Sequence, residues 1–236
     1  MIKTEKLYKK YGTLEALKSL NIEIKSNRLT YIVGPNGSGK TTFIKTILGL
    51  VKPTSGNLFV DGVKLNGTYR YREKIGYMPQ IASFPENLSV KEVLNLLKEI
   101  RSENVNYDEE LIRLLKLEKE YEKRIKNLSG GTKQKLNAVI AFLFDPPVLI
   151  LDEPSAGLDP VSSSILKDKI LREKKAGKTI LFTSHILSEL EELAEEIIFL
   201  LEGSVCFSGG KDELILLTGE RNLERAIANL MMGQKI

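Results

Sequence analysis

Ile32-Val-Gly-Pro-Asn-Gly-Ser-Gly-Lys-Thr-Thr-Phe43 places three glycines, at 34, 37 and 39, directly before Lys40, Thr41 and Thr42, with apolar sequence on both sides. Glycine loses more backbone freedom on ordering than any other residue, so a cluster of it inside apolar sequence signals a close approach to the main chain. Gly34-Pro35-Asn36-Gly37-Ser38-Gly39-Lys40-Thr41 fits G-x-x-x-x-G-K-[ST] at every fixed position, the pattern of a loop that cradles phosphate. The flanks agree. Leu29–Val33 reads as a buried strand and Lys40–Leu50 as the helix that follows. Backbone N–H groups then point into the loop at a helix N-terminus, where the dipole favours an anion. In this reading Lys40 reaches the β- and γ-phosphates of a nucleotide and Thr41 offers its hydroxyl to Mg²⁺, with Thr42 beside it.

The 236 residues suffice for a full core, read as a single domain. The net charge is +4, from 35 Lys and Arg against 31 Asp and Glu, without the concentrated basic stripe of a nucleic-acid binder, so no nucleic-acid partner is expected. The single cysteine, Cys206, excludes an internal disulfide and fits a reducing compartment. The N-terminal sequence lacks the apolar core of a signal peptide, and no run approaches the roughly 18 apolar residues of a membrane span.

Strands and amphipathic helices alternate, which predicts an α/β fold with a largely parallel sheet. Core strands are expected at Leu29–Val33, Lys74–Met78, Val148–Asp152, Thr179–Thr183 and Ile197–Leu201, and an antiparallel layer from Ile2–Tyr8, Ala16–Ile24 and Asn57–Val60. From Gln80 to about Phe142 the texture turns helical. Ser89-Val-Lys-Glu92 is a capping box, and Val90, Val93, Leu94, Leu97 and Ile100 share one helical face. Further helices are expected at Asp108–Leu117, from Gly130, at Leu214–Leu217 and at Leu223–Met232. The organisation is a nucleotide-binding core (1–80 and 143–210), a helical insert (81–142) and a C-terminal helical extension (211–236).

A phosphate loop needs a carboxylate near its metal, and Pro147-Val-Leu-Ile-Leu-Asp152-Glu153 supplies two at the end of an apolar strand, the edge where α/β sheets keep their ligands. Asp152 is expected beside the Mg²⁺ sphere and Glu153 as general base toward an attacking water. Leu128-Ser129-Gly130-Gly131-Thr132-Lys133-Gln134 opens a long helix with a serine cap and two glycines.

These residues resemble the LSGGQ signature of ABC-type ATPases, with Thr132 in the usual glutamine place and Gln134 two positions later. The resemblance runs from about Tyr11 to Gly203. It identifies Gln80, in Gly76-Tyr-Met-Pro-Gln80, with the Q-loop that senses the γ-phosphate, contributes to the metal site and links to the helical insert. Ser155-Ala-Gly-Leu-Asp159 resembles the D-loop, where Asp159 is equally placed to cap the next helix. His185, the only histidine, stands at the switch position after Thr183-Ser184, and Tyr11 stands where the family stacks an aromatic on adenine. The family implies a mechanism that spacing does not. Two copies pair head to tail as a homodimer on ATP binding, so each ATP lies between the P-loop of one and Ser129–Gly131 of the other.

ABC-type ATPases power membrane transporters, but some act on DNA or on the ribosome. Only Gly49–Asn127 separates P-loop from signature, too little for a long coiled coil, and the chain carries one cassette. The reading is a transporter's ATP-binding subunit at the cytoplasmic face of the membrane, working on a permease in a separate chain; the alternative is an ATPase acting on a soluble complex. Gln80–Leu97, with Phe84, Pro85 and Leu88 exposed, is the expected permease contact. Asn222–Ile227 resembles the last helix of exporter-type subunits that partner ABC-2 permeases. Within these, Tyr77–Val90 and Leu128–Lys135 resemble the ATPase that serves copper-site maturation of nitrous-oxide reductase.

Overall fold

Leu29–Val33 is buried at all five positions, and so are Val148–Asp152 and Thr179–Thr183. Strands without a polar face require cover on both sides, the condition of a parallel sheet layered between helices. The computed structural model describes residues 1–65, 67, 69–101, 107–184 and 187–232. In chain order they form β1 (Ile2–Tyr11), β2 (Leu14–Ile24), β3 (Leu29–Val33), α1 (Lys40–Ile47), β4 (Ser55–Val60), β5 (Val63–Lys64), β6 (Ile75–Met78), α2 (Val90–Ile100), α3 (Glu110–Leu114), α4 (Gly130–Phe142), β7 (Val148–Asp152), α5 (Pro160–Lys175), β8 (Thr179–Thr183), α6 (Leu187–Leu193), β9 (Glu196–Leu201), β10 (Ser204–Gly210), α7 (Lys211–Thr218) and α8 (Leu223–Met231). Among the described residues no helix is long and apolar enough to cross a membrane. The chain divides into two compact units, 1–72 with 177–236, and 73–176.

In the first unit β3 lies between β8 and β9, parallel to both, and β10 closes the edge antiparallel to β9. A separate antiparallel layer pairs β1 with β2 and β4, and β4 with β5. The inward side chains alternate along β1 and β2, with Ile2, Leu7, Leu17, Leu20, Ile22 and Ile24 buried. The register shifts between Thr4 and Leu7, where Lys6 adopts a left-handed φ of 47°. Pairing resumes past the bulge, with Lys9 opposite Leu17, Lys10 opposite Glu15 and Tyr11 opposite Leu14, so β1 continues beyond Tyr8 and ends on Tyr11. Leu214, Leu223, Ala226, Ile227 and Leu230 of α7 and α8 are buried, which makes the C-terminal helices part of this unit's core.

In the second unit β6 and β7 pair in parallel. Ser89 caps α2: its hydroxyl accepts from Glu92 N at 3.2 Å while Glu92 Oε2 accepts from Ser89 N at 2.7 Å, the reciprocal pair expected from the sequence. The apolar face of α2 is shorter than its periodicity suggests. Val90, Val93 and Leu94 are buried, but Leu97 is half-buried and Ile100 is 73 % exposed, and the chain turns extended at Arg101. The helix expected over Asp108–Leu117 contracts to Glu110–Leu114. Asp108 is tied into a turn, its carboxylate accepting from Glu110 N at 3.0 Å and its own N–H donating to Leu143 O at 2.8 Å, and Lys116 at φ 55° breaks the other end.

One buried cation fastens α3 to α5. Lys169 is 4 % exposed and pairs with Asp108, with Glu110 at 2.8 Å and with Glu173 at 2.7 Å, while Arg172 meets Glu110 at 2.9 Å. Burial alone would lower the Lys169 pKa, but the bonds to Asp108, Glu110 and Glu173 outweigh it and hold the ammonium above its usual range. The Lys169 hydrogen bond also draws the Glu110 carboxyl below its usual range. The depressed carboxyl stabilises the fold above its unfolded pKa, and that contribution is lost as pH falls through the folded value. The raised ammonium stabilises the fold below its unfolded pKa, and that contribution is lost as pH rises through the folded value. The cluster therefore acts at full strength between about pH 5 and about pH 10. Lys169→Met should cost about 3 kcal/mol at neutral pH by leaving carboxylates without their cation, and the loss should shrink below about pH 4. Denaturant unfolding of both proteins across pH checks this; an equal loss at pH 3 and pH 7 contradicts it.

Candidate functional site

The candidate residues fall into two groups, one in each unit. In the first, the chain leaves β3 at Val33 and enters Gly34 at φ 153°, where a Cβ would lie 2.1 Å from the Leu200 carbonyl oxygen and 2.6 Å from Ser38 Oγ. Gly39, just before α1, has φ 105°, and its Cβ would lie 2.6 Å from the Ala16 carbonyl. No other residue fits either place. The loop between them is tied by Ser38 N to Pro35 O at 3.1 Å and by Gly203 N to Ser38 O at 3.1 Å.

Lys40 is 9 % exposed, and its ammonium donates to the carbonyls of Gly34 at 2.7 Å and Pro35 at 3.1 Å. The side chain thus folds back along the loop. Asn36, Gly37 and Thr41 are exposed, while Pro35 and Thr42 are half-buried. Ser38 is 2 % exposed, and its hydroxyl finds no hydrogen-bond partner among the described residues. The N–H groups of Lys40, Thr41 and Thr42 open α1, where a helix supplies no internal acceptor. An ammonium, an orphaned buried hydroxyl and helix-end N–H groups around a glycine cradle fit a nucleotide phosphate chain. Tyr11 ends β1 with its ring exposed and Lys9 Nζ 4.6 Å from the centroid.

In the second unit β7 ends on Asp152, which is buried, and the next residue, Glu153, is half-buried with a left-handed φ of 50°. A non-glycine residue held there is strained, and such strain gathers at functional sites. Gln80, exposed after β6, donates from Nε2 to Glu153 Oε2 at 3.0 Å, so the structure brings these two predicted residues together. Tyr77, in β6, has its phenol pushed up to about 12 by burial and then by the Asp152 charge.

Behind that pair lie residues that sequence reasoning gave no role. Asn137 Nδ2 donates to Pro79 O at 2.8 Å and to Gln134 Oε1 at 3.2 Å, and Gln134 Nε2 reaches Pro154 O at 3.4 Å. Both amides are buried. They tie α4 to the residue before Gln80 and to the residue after Glu153. The signal was present in the sequence: two amides three apart among the apolar residues of a helix that buries Leu136, Ala138, Val139, Ala141 and Phe142.

Ser129 and Gly130 are exposed at the start of α4, and Gly131 is half-buried with room for a Cβ only 3.1 Å from the Gly157 carbonyl. Ser129 caps the helix, its Oγ accepting from Thr132 N at 3.1 Å. Asp159 caps α5, accepting from Ser162 N at 2.9 Å and Ser162 Oγ at 2.7 Å, and pairs with Lys135 of α4 at 2.9 Å. The Ser162 bonds, then Lys135, hold its carboxyl far below the usual range. His185 lies outside the described residues. Of the expected exposed apolar trio, Pro85 is exposed but Phe84 and Leu88 are half-buried; Ile81, outside that trio, is 83 % exposed.

The two groups differ in chemistry. The first offers donors and positive charge to an anion; the second offers carboxylates and amides suited to a metal shell and a water. Residues 17–156 match the family model described as ABC transporter. The lantibiotic transport ATP-binding protein SrtF of Streptococcus pyogenes is 33 % identical over 235 residues, 100 % of this chain and 99 % of that protein. A solved ATP-binding subunit of an ABC transporter superposes with a TM-score of 0.90 at 30 % identity, covering 98 % of this chain and 99 % of its own. A dimeric post-hydrolysis state of the cassette MJ0796, bound to ADP and Pi, gives 0.80 at 27 % identity over 89 % of this chain and 98 % of its own. With a glycine-closed loop at Gly34–Gly39, a family model matching residues 17–156 and a relative matching along its whole length, the chain belongs to the ABC transporter family as an ATP-binding, ATP-hydrolysing subunit.

Proposed function

We propose that this chain binds ATP through Gly34–Thr42 and hydrolyses it in a head-to-tail homodimer to drive a separate membrane permease. The observation that carries this reading is the Lys40 ammonium, drawn into the loop by two carbonyls where phosphate oxygens would complete its shell. Tyr11 stacks on the adenine. Thr41 and Asp152 are hard oxygen donors of the kind Mg²⁺ takes, with Gln80 contributing, and Mg²⁺, when bound, offsets charge on the phosphate oxygens. Gln80 orients Glu153. Glu153 accepts a proton from water as the water oxygen attacks the γ-phosphorus, and ADP leaves with inorganic phosphate. His185 donates to the γ-phosphate, Ser129–Gly131 of a second copy close the site from the other side, and Asp159 borders it.

In this reading residues 1–236 form one cassette: core and antiparallel layer at 1–80 and 143–210, helical subdomain at 81–142, extension at 211–236. It works at the cytoplasmic face of the membrane through its permease. The exporter-type assignment, with an ABC-2-like permease, is supported by the Asn222–Ile227 helix and by SrtF, named for lantibiotic transport. The copper-maturation assignment is supported by the Tyr77–Val90 and Leu128–Lys135 stretches alone. Genes for a polytopic permease and a periplasmic copper protein beside this one would support it, and a peptide-modification cluster there would exclude it.

Lys40→Ala removes a charge and little packing, so Mg·ATP turnover should fall at least a hundredfold with the unfolding midpoint nearly unchanged. Wild-type turnover in that variant contradicts the assignment. The permease should contact the loop that follows Gln80. A cysteine at Ser83, beside exposed Ile81 and Pro85, should cross-link to the co-expressed permease, whereas labelling only from Cys206 would place the contact elsewhere.

A further inference from the structure

Ser129 begins α4 as a helix cap, and Thr132 occupies the third helical position. The same two positions at α2 hold Ser89 and Glu92, and there the longer side chain reaches back to the cap's backbone N–H. Threonine is too short for that reach. Its Oγ1 instead lies 2.9 Å from Ser129 Oγ, on the cap's side chain. An acidic residue here would also set a negative charge beside any anion at the α4 N-terminus; threonine brings none.

A hydroxyl has one proton to give and two lone pairs to fill. One lone pair of Ser129 Oγ already accepts from Thr132 N at 3.1 Å. Two arrangements of the remaining bond satisfy the 2.9 Å separation. If Ser129 donates to Thr132, the Ser129 proton is stowed within the turn. If Thr132 donates to Ser129, both Ser129 lone pairs are filled and its proton turns outward, on an exposed side chain at the positive end of α4. An anionic oxygen arriving there selects the second arrangement, because only that one offers it a donor.

We propose that Thr132 is a positioning residue that donates its hydroxyl proton to Ser129 Oγ and so aims the Ser129 proton at the γ-phosphate of ATP held by a second copy of this chain. The proposal rests on the shared-site reading above. It makes Thr132 act on closure of the dimer, not on binding of ATP to the P-loop of its own chain, and it makes the hydroxyl, not the side-chain volume, the active part.

The test uses the full chain in a Glu153→Gln background, which keeps ATP intact, and reads the dissociation constant of the ATP-driven dimer together with the affinity of dilute monomer for a fluorescent ATP analogue. Thr132→Val, nearly isosteric, should weaken the dimer about a hundredfold, about tenfold for the charge-assisted hydrogen bond at each of its two equivalent sites, with monomer affinity unchanged. Thr132→Ser should restore it. Ser129→Ala should weaken the dimer at least as much, and Thr132→Val added to Ser129→Ala should cost nothing further. If Ser129→Ala leaves the dimer at wild-type strength, the shared-site reading itself fails. If Ser129→Ala weakens it but Thr132→Val does not, the reading stands and the role of Thr132 is overturned. Failure of Thr132→Ser to rescue, or additive losses in the double variant, also overturns it.

Discussion

The Lys40 side chain is buried within a loop whose tip is exposed, and the turn of the chain around it depends on that placement. Moving an ammonium out of water costs several kcal/mol unless polar partners replace the hydration shell. Here two carbonyls of its own loop do part of that work, at Gly34 and Pro35, and they can do so only because the chain turns back on itself. That turn requires glycine at 34 and 39, where any Cβ would collide with the backbone of Leu200 and Ala16. β3, buried between β8 and β9, fixes where the loop starts, and α1 fixes where it ends. The Ser38 hydroxyl, buried without a hydrogen-bond partner among the described residues, is the polar atom of this loop that its own fold does not satisfy.

The second unit solves a different problem, holding a carboxylate in a strained place at the end of a buried strand. Glu153 sits at φ 50° directly after a fully buried strand; Gln80 donates to its carboxylate, Gln134 to the carbonyl of the next residue, Pro154, and Asn137 to Gln134 and to Pro79, the residue before Gln80. Because those amides project from α4, the helix that Ser129 caps is tied by hydrogen bonds to the residue after Glu153 and to the residue before Gln80.

Fixed spacing carried most of what the sequence revealed. Leu29–Val33, Val148–Asp152 and Thr179–Thr183 were readable as strands because each is an apolar run with no polar face, and Ser89 was readable as a cap because its partner lies three residues on. What failed depended on contacts distant in sequence. The Asp108–Leu117 helix is shortened because Asp108 is drawn into a turn with Leu143 and into an ion pair with Lys169, both invisible to local periodicity. Ile100 continues an apolar stripe but reaches past its cover, while Phe84 and Leu88 are half-covered where exposure was expected. Gln134 and Asn137 carried a signal in their spacing, but their partners are backbone carbonyls of Pro79 and Pro154, which no side-chain pattern announces. The pairing of Ser129 with Thr132 likewise emerges only once the helix start is built.

In the proposed mechanism ATP is shared between two copies of the chain, and Glu153 limits how long it stays. Light scattering on the Glu153→Gln protein tests it most directly, because the amide preserves shape while removing the proton acceptor. With Mg·ATP the mass should rise from the 26.5 kDa of one chain to twice that, with ADP it should not, and hydrolysis should fall sharply. An unchanged mass with ATP, together with undiminished hydrolysis, would contradict both the shared site and the role of Glu153.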